Sequence, residues 1–117
     1  MNNIHGKGIY KWHDGREYNG TWENNKMHGE GIFKWSDGRY YKGQYFDDKK
    51  EGHGIFTWPD GRCYDGMWQD GKQEGVGAYT NNQKVKRFGK WVNGKRVSWI
   101  EQEEYEAGIQ GVKRTTL

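Results

Sequence analysis

The sequence predicts an all-β fold, a meander of about eight antiparallel strands followed by a short C-terminal helix. Three observations predict it. The first is composition. Of 117 residues, 19 are glycine and 19 are Trp, Tyr or Phe, while the only leucine is Leu117 and the only alanines are Ala78 and Ala107. Leucine and alanine build helix interiors; aromatic and β-branched residues fit a pleated surface. The second is a 23-residue repeat. The third is a strict alternation of rings and glycines with polar residues, the period of a strand.

The repeat units begin at His5, His28, Glu51 and Glu74 with no insertion between them. They read HGKGIYKWHDGREYNGTWENNKM, HGEGIFKWSDGRYYKGQYFDDKK, EGHGIFTWPDGRCYDGMWQDGKQ and EGVGAYTNNQKVKRFGKWVNGKR. Within each unit the pair Asp14-Gly15, Asp37-Gly38 or Asp60-Gly61 is expected to form a two-residue type I′ hairpin turn, for which Asp-Gly is a preferred pair. A second turn joins the units at Asn24-Asn25, Asp47-Asp48, Asp70-Gly71 and Asn93-Gly94. Turns at both ends of every strand give the meander. Four units cover residues 1–96, as 5–27, 28–50, 51–73 and a degenerate 74–96.

Residues two apart share a face. Gly6, Gly8, Tyr10 and Trp12 therefore lie on one side, as do Tyr18, Gly20 and Trp22. The other side holds Lys7, Ile9, Lys11, Glu17, Asn19 and Thr21, and Ile9, Ile32, Ile55 and Ala78 form a small ladder there. Glycine weakens a strand, so four or five per unit need a reason. A ring lying over the hollow left by a missing Cβ supplies one.

After Arg96 the pattern stops, with Ser98 and Ile100 in place of the two glycines of a fifth unit. Ser98-Trp99-Ile100-Glu101 fits a capping box. Residues 97–110 are thus expected to be a cap, with a helix over 99–107 stopped by Gly108 and covering the last unpaired strand, and 111–117 a tail. The first strand, near Gly6 to Trp12, is expected to be an open edge.

The recurring G-x-G-x-[YF]-x-W-x-D-G-x-x-Y-x-G-x-W of Gly6 to Trp22, Gly29 to Tyr45 and Gly52 to Trp68 resembles the MORN (membrane occupation and recognition nexus) repeat. Gly75 to Trp91 is a worn copy, with Asn81 for Trp, Gln83-Lys84 for Asp-Gly and Arg87 for Tyr. The resemblance implies an elongated, twisted single sheet with an aromatic groove. It also implies a cytoskeletal, ciliary or membrane-adjacent setting, and MORN arrays also occur fused to lipid kinase and methyltransferase domains.

Charge and motifs exclude more than they assign. Net charge is +3, too mild to demand nucleic acid. No run of about 18 apolar residues suggests a membrane span. The single cysteine, Cys63, favours a reducing compartment, hence a cytoplasmic expectation. The histidines occupy three different repeat positions and do not converge as a metal set. No nucleophile and base stand in a catalytic order, so no cofactor, metal site or enzymatic activity is expected.

What stands above background is periodic. A ring-lined face of Tyr10, Trp12, Tyr18 and Trp22, then Phe33, Trp35, Tyr41 and Tyr45, then Phe56, Trp58, Tyr64 and Trp68, and finally Trp91 is expected to hold an extended or helical protein segment, because contiguous apolar surface marks interaction sites. Two basic rows, Arg16, Arg39 and Arg62 at one turn and Lys26, Lys49, Lys72 and Lys95 at the other, are candidates for anionic lipid headgroups. The expectation is therefore a scaffold or interaction module. A phosphoinositide-binding module or a regulatory part of a larger enzyme such as a lipid kinase are the alternatives, and a homodimer through the N-terminal edge strand is a further expectation.

Overall fold

The computed structural model describes residues 5–115, and side chains for 5–110. Nine strands form one antiparallel sheet in sequence order: β1 (Gly6–Lys11), β2 (Glu17–Glu23), β3 (Lys26–Lys34), β4 (Tyr40–Phe46), β5 (Lys49–Thr57), β6 (Cys63–Gln69), β7 (Lys72–Thr80), β8 (Lys86–Val92) and β9 (Lys95–Ile100). A helix, α1 (Gln102–Thr115), follows.

The Asp-Gly turns differ from the sequence expectation. At Asp14-Gly15 only glycine has a positive φ, 97°. The Gly15 amide donates to the Trp12 carbonyl and the Trp12 amide to the Arg16 carbonyl. This is a three-residue loop, a type I turn closed by a left-handed glycine. The two-residue type I′ turns are the inter-unit ones, where both central residues have positive φ, as at Asp70 (52°) and Gly71 (83°). The reason is length: five residues separate β1 from β2 and two separate β2 from β3. The fourth loop keeps the three-residue form without Asp-Gly. Lys84 takes the left-handed position at φ 69°, and the Asn81 side chain accepts from the Gln83 and Val85 amides.

Between units the pairing carries a bulge. Gly20 faces Gly31 while Trp22 faces Met27, so β3 spends two extra residues there. Gly29, Gly52 and Gly75 occupy the bulges with φ of 86°, 71° and 94°. The turns also tie neighbouring units: the Asp48 amide donates to the Met27 carbonyl at 2.9 Å, and the Met27 amide to Asp48 Oδ1 at 2.8 Å.

The core is the ring face. The three most deeply buried side chains are Tyr18, Tyr41 and Tyr64, all at 0% exposure. Each lies over a facing glycine pair; a Cβ on Gly31, Gly54 or Gly77 would run into the ring. Each hydroxyl then donates to the carbonyl three residues on, Thr21, Gln44 or Met67, at 2.9–3.0 Å. Each Tyr packs edge-on against the ring of its own unit and of the next, Tyr18 against Trp22 at 5.0 Å and against Tyr45 at 5.4 Å.

The C-terminal end departs from the expected cap in three ways. Ser98 to Ile100 extend a ninth strand, so they cannot cap a helix, and α1 starts at Gln102 instead of residue 99. Gly108 lies inside α1, which continues to Thr115 through most of the expected tail; residues 116–117 lie outside the described part. Finally, α1 packs on the faces of β7 and β8, so it does not shield the edge of β9 as expected. Gly108 is the reason it can approach: a Cβ there would meet both Val76 methyls at 2.8–2.9 Å.

β9 itself is slipped. Ser98 stands where a bulge glycine is required, and β9 spends one extra residue, not two: Trp91 faces Arg96 and Gly89 faces Trp99. A one-residue shift exchanges faces. Trp99 thereby joins the ring face, perpendicular to Trp91 at 6.4 Å, and Ile100 moves to the other.

Two predictions follow from this backbone and core. Gly38→Val, at φ 102°, should cost roughly 1–3 kcal/mol in urea unfolding, and Lys49→Ala less than about 0.5 kcal/mol. Lys84→Gly should be stabilising by about 0.5–1 kcal/mol because it removes left-handed strain; equal midpoints for all three would contradict the turn assignment. Burial pushes the Tyr18 hydroxyl up to about 12, and those of Tyr41, Tyr45 and Tyr64 higher still. A raised folded value means the stabilisation is complete below pH ~10 and is lost as pH rises through the folded value. Ultraviolet titration should show these four of the eight tyrosines ionising only as the protein unfolds.

Candidate functional site

The predicted ring face divides into two groups. Tyr18, Trp22, Phe33, Tyr41, Tyr45, Phe56, Tyr64, Trp68 and Trp91 are all buried, at 0–8% exposure. They are the core of the sheet and offer little to a partner. Trp12, Trp35 and Trp58 are half-buried along the loop edge, and Tyr10 is 45% exposed on β1. The physical reason is ring stacking: rings laid over the glycine rows cover each other without a second layer.

The arginine row is engaged. The guanidinium carbons of Arg16, Arg39 and Arg62 sit 5.1–5.2 Å from the ring centroids of Trp12, Trp35 and Trp58. Each Nε also donates at 2.8 Å to Asp14, Asp37 or Asp60. The backbone amide of the arginine, with its guanidinium, holds each carboxyl below the usual range. Ring, cation and carboxylate thus close each loop as a neutral unit. Lys26, Lys49, Lys72 and Lys95 are exposed along the opposite edge, directly after the type I′ turns.

Lys50, not singled out by the sequence, lies on the ring face. Its Nζ is 5.4–5.7 Å from the centroids of Trp35, Tyr41, Phe56 and Trp68. Burial, then the nearby Arg39, lowers its pKa. The available signal was its repeat position, shared with Met27 and Gln73. Cys63 is half-buried beside Thr57, and burial raises its thiol, which keeps it protonated.

The face left open is the isoleucine face. At its C-terminal end α1 covers Val76 and Ala78, which are 8% and 4% exposed. Tyr105 stacks on Phe88 at 4.7 Å, and Lys90 Nζ meets Glu104 Oε2 at 2.6 Å. Towards the N-terminus the same face is uncovered. Ile9 is 62% exposed, and Ile32 and Ile55 line a groove of about 460 Å³ whose floor is Gly20, Gly31 and Gly43. Its rim carries Lys7, Glu30, Lys42 and His53. His53 is held by Asp65 at 2.5 Å; among the described residues, Lys7, Lys34, Lys42 and Glu30 make no ion pair. The described residues hold no cluster of His, Cys, Asp or Glu fit for a metal ion, and no helix long and apolar enough to cross a membrane.

Against protein-family models, the chain matches the MORN repeat over residues 1–15, 18–38, 41–61 and 64–82. The chain belongs to the MORN repeat family. Comparison with curated proteins gave no match. MORN repeats are in general a non-catalytic module, consistent with protein interaction or membrane association. The fourth match ends at residue 82, immediately before Gln83-Lys84 replaces the MORN Asp-Gly pair. The ring stacking nevertheless passes that point, from Tyr64 to Trp91 at 4.8 Å.

The seating of α1 on the MORN sheet is testable. Gly108→Val should force the helix off Val76, since both methyls already touch that position. Hydrogen exchange of residues 102–110 should accelerate by roughly tenfold or more, with the strand amides unchanged. Unchanged protection of the helix would show that Gly108 is not its point of contact.

Proposed function

We propose that this protein is a non-enzymatic interaction module that holds an acidic amphipathic helix of a partner in the groove of its isoleucine face. The observation that carries the reading is that the same face already seats a helix. α1 lays Tyr105 and Gly108 on Val76 and Phe88, and brings acidic residues, Glu103 and Glu104, in its first turn. The uncovered part repeats that chemistry, with Ile32 and Ile55 for the apolar contact and Lys7 and Lys42 against Glu30 on the rim. An amphipathic helix in an apolar groove, flanked by complementary charge, is a common recognition mode. The rings of Tyr10, Trp12, Trp35 and Trp58 remain accessible as a secondary contact.

A photo-crosslinker at position 44, on the wall of the groove, should trap one discrete segment of a partner in extract of the source cells. Ile32→Asp with Ile55→Asp should abolish trapping while the fold stays within about 1 kcal/mol of wild type. Trapping that survives the double variant would remove the groove from the reading. One observation favours a second reading, a peripheral membrane module in a cytoskeletal or ciliary setting. Lys26, Lys49, Lys72 and Lys95 are exposed in a row at a single edge. Vesicle flotation that falls steeply with salt supports that reading; salt-insensitive capture through the groove supports the first.

A further inference from the structure

We propose that two copies of this chain join edge to edge through β1, about a two-fold axis at Gly8, into one continuous sheet. The observation behind it is a row of glycines that crosses the sheet. Gly8 faces Gly20, Gly20 faces Gly31, and the row continues strand by strand to Gly89 in β8. In β9 the next place belongs to Trp99. Its indole carries the guanidinium groups of Arg87 and Arg96 at 3.9 and 4.1 Å from the centroid. The row is thus closed at β9 and open at β1, whose outer side has no strand beside it among the described residues. An edge of this kind templates the addition of another strand.

Strand direction selects the second copy's own β1 as the occupant. With nine antiparallel strands, β1 and β9 run the same way, so head-to-tail stacking would set β1 beside a parallel strand. Pairing β1 with the partner's β1 is antiparallel. A two-fold axis normal to the sheet also keeps the rings on one side and the isoleucines on the other. The Trp12 amide bonds to Arg16 inside the hairpin, and bonded residues alternate along a strand, so Lys7, Ile9 and Lys11 turn their N–H and C=O groups outward. With Gly8 opposite the partner's Gly8, Lys7 and Ile9 exchange hydrogen bonds with the partner's Ile9 and the partner's Lys7. The glycines then form a non-hydrogen-bonded pair with Cα atoms about 4.5 Å apart. Centring on Lys7 or Ile9 instead would set Lys7 directly against the partner's Lys7 or the partner's Lys11, which is unfavourable. The joint covers Ile9 on one face and Tyr10 on the other, 62% and 45% exposed in the single copy.

Both isoleucine grooves then open on the same side of the doubled sheet, and the joint holds whether or not they seat a helix. Lys7 and Lys11 of the two copies gather on that side, and only Lys11 is paired, with Glu17 at 3.7 Å. Salt should therefore strengthen the association. Sedimentation of the whole chain should pass from monomer to dimer, and no further, over roughly 1–500 µM, as fits so small a joint. Ile9→Pro removes an outward donor that β2 does not use. It should weaken association roughly tenfold or more with the near-ultraviolet circular dichroism unchanged. The register is read separately by Gly8→Cys in a Cys63→Ser background. A Cβ at Gly8 meets Trp22 at an ordinary 3.7 Å, so the fold accepts it. Mild oxidation should link Gly8→Cys into a covalent dimer and leave Lys49→Cys, exposed and away from β1, unlinked. A monomer throughout, growth beyond the dimer, equal association of Ile9→Pro and wild type, or no link through position 8 would overturn the joint.

Discussion

The structure depends on one contact, a tyrosine ring lying flat on two facing glycines. Without a Cβ at Gly20 and Gly31, the Tyr18 ring descends onto the backbone, and its hydroxyl reaches the Thr21 carbonyl at 3.0 Å. A single-layer sheet normally lacks a second surface against which to bury its side chains. Here the backbone is that surface. The ring is sealed from above by Trp22 and Tyr45, each edge-on, and the same set recurs around Tyr41 and Tyr64. Edge-on pairs add about 0.5–1.5 kcal/mol each beyond burial. Because Tyr18 touches a ring of the following unit, each unit stabilises its neighbour, as in other repeat arrays.

That solution fixes which surfaces remain for binding. Rings that serve as the core are unavailable, and the arginine row is tied to its aspartates. The chemistry left to solvent lies on the opposite face and on the two edges. On the isoleucine face the glycine rows that admit the tyrosines from one side form the floor of a groove on the other. One set of small residues therefore shapes both the core and the open groove. α1 exploits the same principle with Gly108, which lets a helix backbone settle on Val76.

Much of this was legible in the sequence. The 23-residue period, the two-residue alternation and the aromatic–glycine pairing lead directly to the antiparallel sheet and to Tyr18, Tyr41 and Tyr64 sharing a face. The Asp-Gly turn was expected as a two-residue type I′ turn because Asp-Gly suits either loop, and only the strand ends decide: Trp12 and Arg16 bond to each other and leave three residues in the loop. The depth of the rings was hidden for another reason. Period two assigns a side chain to a face but does not say which neighbours cover it, so the exposed ring of Tyr10, on the edge strand, and the buried ring of Tyr18 look alike. The helix was expected three residues early because Ser98 satisfies a capping pattern that the pairing of β9 with β8 overrides.

The end of the array follows from the same glycine logic. A bulge of two residues needs a left-handed backbone, which Gly29, Gly52 and Gly75 provide and Ser98 resists. The narrower bulge turns Trp99 inward and Ile100 outward, so a substitution at one bulge position changes the facing of the next two residues. Trp99 then covers the exposed side of Trp91, where a fifth unit would have supplied a ring. Ile100, now opposite Phe88, lies on the face where Tyr105 of α1 stacks. Loss of one glycine thus ends the ring column, covers its last member and brings the chain to the face on which the helix is seated.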